Sequence, residues 1–138
     1  MFSDFGVMDY GLLVIRLVLG LSMMAHGAQK LFGMFGGYGL KGTGGWMESL
    51  GLKPGIFMAL MAGLGEFVGG LLLAVGLFTW AGGILVAGTM LVAILTAHLK
   101  NGYWSTQNGY EYNLLIIAVA IGLALTGAGA VSIDALIG

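Results

Sequence analysis

Cysteine is absent from this chain of 138 residues, proline occurs once, and charge is scarce, with five Lys or Arg and six Asp or Glu. Without thiols the chain has no disulfide, no thiolate nucleophile and no cysteine-ligated metal or iron–sulfur site. Redox chemistry here must therefore use a bound organic molecule, a haem or a partner. So few cations leave no basic patch for a phosphate backbone, which argues against nucleic-acid binding. Charged residues make up 8% of the chain, against roughly 25% in a soluble domain.

Hydrophobic residues make up 59%, and they fall in four long stretches at about 9–32, 54–77, 80–99 and 112–126. At ~20 residues per crossing the length allows about four spans and their connections, with no separate soluble domain. The expectation is an all-α integral membrane protein, a single domain over 1–138 built as a bundle of four transmembrane helices. Its setting is the lipid bilayer of a cell membrane. The runs are continuous and do not alternate with period two, which rules out a β-barrel. Met1 to Tyr10 lacks the basic region and cleavage site of a secretory signal, so the first span is expected to be retained.

Between the first two spans lies a Gly-rich loop, with seven glycines from 33 to 45. That density predicts turns, a re-entrant loop or a lid, followed by a short interfacial helix marked by Trp46, Met47 and Leu50. The segment NGYWSTQNGY at 101–110 suits the headgroup level. The tail from Gly127 is expected at the interface, with Asp134 in solvent. Lys30, Lys41, Lys53 and Lys100 share one side of this topology, which places both termini outside the cytoplasm. Three small-xxx-small pairs, Gly65/Gly69, Gly83/Ala87 and Ala118/Gly122, predict close helix packing, because hydrocarbon gives helices little hydrophobic drive to associate.

Ionisable residues inside spans carry the functional signal, since a charge at the bilayer centre costs at least ~2.5 kcal/mol. Counting ~1.5 Å per residue puts Arg16 ~10 Å from the terminal side and Glu66 ~12 Å from the same side. An Arg16–Glu66 ion pair between spans one and two is the expectation. It reads equally as a device that fixes helix register. Toward the opposite rim, His26, His98 and Glu111 share a second depth, with Lys30, Asn101, Trp104, Tyr110 and Asn113 nearby. Lys30, Trp104 and Tyr110 also suit plain interfacial anchoring. Two histidines level with a carboxylate favour proton exchange or contact with a ring oxygen.

These residues carry a family resemblance. Arg16 followed by LVLGLSMMAHGAQKLFG, then GGWMESLGLKP, then GLGEFVGGLLLAVGL, resembles DoxX, the small four-helix membrane proteins related to DoxD. The likeness extends through GAGAVSIDALIG at the end of the chain. The tract from His26 to Gly55 is especially similar to the Firmicutes branch classed with oxidoreductases and associated with catechol and quinone stress. The resemblance implies membership in membrane-bound, quinone-linked redox systems and carries over Arg16, His26, Lys30 and Glu66, then His98 and Glu111.

The resulting functional expectation is a quinone or catechol-like aromatic bound in a polar intramembrane site. His26 and His98 would contact oxygens or exchange protons, Glu111 would relay protons, and Lys30 would stabilise a developing oxyanion. Arg16 and Glu66 would support the ligand from below, with Trp104 and Tyr110 stacking on its ring. No nicotinamide or flavin fingerprint is present, since GGYGLKGTGG does not follow a strand of a βαβ unit, so electrons would come through a soluble redox enzyme. The alternative is a non-catalytic membrane anchor or assembly partner for such an enzyme. Haem b between His26 and His98, zinc on His26, His98 and Glu111, permeation of aromatics and homo-oligomerisation remain open at this point.

Overall fold

Hydrocarbon offers no hydrogen-bond partners, so apolar runs must satisfy their backbone internally as helices. The computed structural model describes residues 6–137, so Met1 to Phe5 of the amino-terminal reading lie outside the described residues. The chain is all-α: α1 (Val7–Phe32), α2 (Gly39–Ser49), α3 (Gly55–Val75), α4 (Thr79–Ala93), α5 (Glu111–Thr126) and the short α6 (Ile133–Ile137). A π-helical turn (Ile94–His98) and a 3-10 turn (Leu99–Asn101) prolong α4. Among the described residues three helices are long and apolar enough to cross a membrane, Val7–Phe32, Gly55–Val75 and Thr79–Asn101. The expected fourth span is the shorter apolar helix α5. Val18, Leu95 and Leu115 are more than half exposed on three different helices; an apolar surface that extensive is suited to lipid, not water.

Glycines set how the helices meet. A Cβ on Gly20 would lie 2.5 Å from the Gly70 carbonyl oxygen, and one on Gly27 would lie 2.6 Å from that of Gly63. Antiparallel α1 and α3 therefore touch backbone to backbone, as small residues permit. Gly69 meets Gly82 and Val86 across α3 and α4, and Gly83 meets the Ala120 carbonyl across α4 and α5. Of the three predicted stripes, Gly65/Gly69 and Gly83/Ala87 pack inside. Ala118/Gly122 does not: Ala118 is exposed and Gly122 has open space where a side chain would stand. Met23, Leu73, Val86, Met90, Ile116 and Leu123 fill the apolar core between the helices.

This glycine register overturns the expected Arg16–Glu66 pair. Matching Gly20 with Gly70 and Gly27 with Gly63 carries Arg16 to the end of α3, beside Leu73 and Ala74, about two turns from Glu66. Arg16 is buried and donates to four carbonyls: Leu73 (3.0 Å) and Ala74 (3.4 Å) in the last turn of α3, and Ala128 (2.6 Å) and Val131 (2.9 Å) in the tail. The guanidinium thus satisfies carbonyls left open at a helix end, where the dipole favours a cation.

The tail is held in the same way. Asp9 accepts from the Ala130 amide at 3.0 Å. Asp134, expected free in solvent, caps α4 by accepting from the amides of Phe78 (2.7 Å) and Thr79 (3.1 Å) and from the Thr79 hydroxyl (2.8 Å). Partial burial works against ionisation of Asp134, but hydrogen bonds from Thr79 and Phe78 and the Arg16 charge outweigh it. Its pKa therefore lies below the ordinary 3.8.

The Gly-rich connection is more helical than its composition suggests. Glycine costs ~1 kcal/mol per residue in a helix, yet α2 includes Gly42, Gly44 and Gly45. Close packing accounts for Gly44, since a Cβ there would lie 2.9 Å from the Ile56 amide nitrogen. Glu48 then caps α3, accepting from the Gly55 amide at 3.0 Å.

Candidate functional site

Beside the Gly27–Gly63 contact, α1, α3 and α4 line a cavity of about 740 Å3. α1 contributes Met23, His26 and Lys30. These fall on one face because positions three and four apart stack along a helix. α3 contributes Glu66, the π turn contributes His98, and α5 contributes Tyr112 and Asn113. Trp46 and Met47 of α2 close one side.

Glu66 is the most deeply held of these polar groups, its side chain 3% exposed. Its partner is Lys30, whose Nζ lies 2.5 Å from Oε1 and whose side chain is 25% exposed. That oxygen accepts no other hydrogen bond. Each charge compensates the other in a low-dielectric setting, which a lone charge could not occupy without a penalty of several kcal/mol. Lys30 also stands in the last turn of α1, the favourable end for a cation.

His26 stands one turn before Lys30 on the same face of α1, and His98 comes from the π turn. His26 faces Tyr112 with ring centroids 6.5 Å apart and planes tilted by 58°. His98 Nδ1 lies 3.0 Å from the Asn108 carbonyl oxygen, which can only accept, so Nδ1 carries the proton and Nε2 is left as the acceptor. The π turn that ends at His98 alters the helical phase beside the cavity. Such single π turns often mark functional sites.

Four of the eight residues expected at a site line this cavity: His26, Lys30, Glu66 and His98. The others do not. Arg16 binds the end of α3 and the tail. Glu111 Oε1 accepts from the Ser105 amide and hydroxyl, both at 3.2 Å, and so braces the connection before α5. Trp104 and Tyr110 pack edge-on against Tyr103, at centroid distances of 5.0 and 5.6 Å. Among the described residues no group of three or more His, Cys, Asp or Glu comes together to hold a metal ion, so His26, His98 and Glu111 form no zinc site. Tyr112 and the methionine lining (Met23, Met58, Met61 and Met90) were not singled out as site residues; helical phase from Asn113 could have located Tyr112 and Met90 only once the α4–α5 register was known.

The model of the DoxX family matches residues 11–99, a stretch that includes Arg16, His26, Lys30, Glu66 and His98. The chain belongs to the DoxX family. This DoxX protein is 33% identical over 126 residues to the Bacillus subtilis (strain 168) protein named "Putative oxidoreductase CatD", covering 91% of this chain and 86% of that one. It is 33% identical over 129 residues to inner membrane protein YqjF of Escherichia coli (strain K12), covering 94% and 93%. An uncharacterized Haemophilus influenzae protein is 30% identical over 132 residues, covering 91% and 89%. No solved structure matches.

Proposed function

We propose that this DoxX protein is the membrane component of a quinone-linked oxidoreductase and that it binds the ring of a quinone or catechol-like aromatic in the cavity. The observation that carries this reading is the convergence of Lys30, Glu66, His26 and His98 on one largely apolar space of about 740 Å3. A ring with two oxygens needs donors for the oxidised form, acceptors for the hydroxyls of the reduced form, and apolar walls. Lys30 supplies the donor, and the Glu66 carboxylate, which Lys30 holds in place, and His98 Nε2 supply acceptors. Met23, Met47 and Met90 form a soft, adaptable wall suited to aromatic faces.

Quinone chemistry itself is a two-electron, two-proton couple. The chain's part is to bind and orient the ring, exclude water and hold protons at His26 and His98. Electrons come from a soluble flavoprotein or dehydrogenase that docks at the membrane. Arg16 and Glu111 serve indirectly, by fixing the α1–α3 register and bracing the loop that presents Asn108 to His98. On this reading both termini lie outside the cytoplasm, which the shared side of Lys30, Lys41, Lys53 and Lys100 supports. The relative named as an oxidoreductase supports the redox class of this reading.

The test is calorimetric titration of detergent-purified protein with a short-tailed benzoquinone. Saturable binding, weakened at least tenfold by Lys30→Met and by His26→Ala, supports the reading. Absence of binding while a soluble oxidoreductase co-purifies makes the chain an anchor. A Soret band in the purified material assigns His26 and His98 to haem instead.

A further inference from the structure

The cavity does not stop at its polar cluster. Its lining continues along the groove between α3 and α4, past Met61 and Gly65 on one side and Ile84, Leu85, Gly88 and Val92 on the other. Met61, Ile84 and Val92 are each more than half exposed. Gly88 is exposed with open space where a side chain would stand, so the groove floor there is bare backbone. Counting along Thr79–Asn101, Gly88 lies ~14 Å from one end and ~20 Å from the other. An opening at that height meets acyl chains, not water.

We propose that this groove is a lateral portal in the hydrocarbon layer and that the ligand is a tailed quinone drawn from the bilayer. Its ring would lie against Lys30, Glu66 and His98, and its tail would leave past Gly88. The proposal deepens the quinone reading and rests on it: it chooses a lipid-dissolved quinone over a water-soluble catechol. From Ile84 to Val92 the groove runs ~12 Å along α4, room for an extended apolar chain. The position of Glu66 decides against a phospholipid as occupant. Its carboxylate lies ~16 Å along α3 from Gly55, where a phosphate would have to shed its water and face a negative charge. A neutral ring meets neither obstacle. The lining is graded accordingly, with ionisable groups at the inner end and, toward the outer end, apolar walls, a glycine floor and two threonines, Thr89 and Thr96, whose hydroxyls are spent on the Leu85 and Val92 carbonyls of their own helix.

Two benzoquinones sharing one ring, one tailless and one carrying an isoprenoid tail, are titrated calorimetrically into the full chain in lipid nanodiscs, with ligand expressed as mole fraction in lipid. The variant is Gly88→Leu, whose side chain enters open space and so leaves folding intact; Val92→Phe narrows the groove from its rim as an independent variant. Gly122→Leu places the same bulk on a lipid-facing site as a control. The expected result is that Gly88→Leu and Val92→Phe weaken the tailed quinone at least tenfold, leave the tailless one within twofold, and that Gly122→Leu changes neither. Equal effects on both quinones, or none on either, overturn the portal while leaving ring binding intact. Failure of both quinones to bind the unaltered protein overturns the quinone reading and the portal with it.

Discussion

Replacing Lys30 by Met should cost this protein more than replacing Glu66 by Gln, although each change breaks the same ion pair. The Glu66 side chain is 3% exposed and Oε1 has no partner besides Lys30, so Lys30→Met strands a buried carboxylate. Breaking a buried pair from one side typically costs about 3–5 kcal/mol. Lys30 is 25% exposed and near the end of α1. In Glu66→Gln its flexible stem can carry the ammonium toward the headgroups, which limits the loss to about 1–2 kcal/mol. Removing both charges leaves no stranded ion, so the double variant should fall within about 1–2 kcal/mol of the parent. The two single losses sum to well above that, and the difference is the coupling energy of the pair. Reversible unfolding in mixed micelles, followed by circular dichroism across the four proteins, measures it. Losses that add within about 0.5 kcal/mol, or equal losses for the two single variants, would refute the reasoning.

The other predictions concern packing, tethering and the site. Gly70→Ala gains helix propensity yet puts a Cβ 2.5 Å from the Gly20 carbonyl, so it should destabilise by about 1–3 kcal/mol, whereas Gly122→Ala stays within about 0.5 kcal/mol in the same unfolding assay. Arg16→Met leaves four carbonyls without their donor and should lose more than about 3 kcal/mol; Arg16→Lys restores only part, because an ammonium lacks the guanidinium fork. Asp134 has a lowered pKa, so its stabilisation is complete above the unfolded value near 3.8 and is lost as pH falls through the lower folded value. Asp134→Asn should cost about 1 kcal/mol at neutral pH and reduce the drop in melting temperature between pH 5 and 3. Trp104→Leu should change quinone affinity less than twofold, since Trp104 packs on Tyr103 outside the cavity.

The long helices were legible because apolar runs in lipid have one backbone solution, and their predicted ends differ from the observed ones by only a few residues. The pairing of charges was not. Counting depth from each helix end assumes that all helices start in one plane; the register is instead set where Gly20 meets Gly70 and Gly27 meets Gly63. Arg16 and Glu66 therefore found different partners, while His26, Lys30 and His98, placed by the same counting, do share one cavity. The short helix expected around Trp46 and Met47 is present at the end of α2, but composition misled for its glycine-rich first part, where contact with Ile56 offsets the low helix propensity of glycine. The π turn at Ile94–His98 has no local sequence signature. Glu111 shows a limit of another kind, since a carboxylate opening a helix beside Ser105 is as well suited to bracing a loop as to relaying protons.

Hydrophilic side chains from α1, α3 and the π turn converge on one cavity, and the proposed function has them hold a single ring there. Photocrosslinking with an azido-benzoquinone, followed by peptide mass spectrometry, tests it most directly. Adducts are expected only on segments that line the cavity, within 23–30, 46–52, 58–66, 84–98 and 105–113, and are suppressed by excess unlabelled quinone. Adducts scattered over the lipid-facing surfaces of all helices, unaffected by competitor, would contradict it.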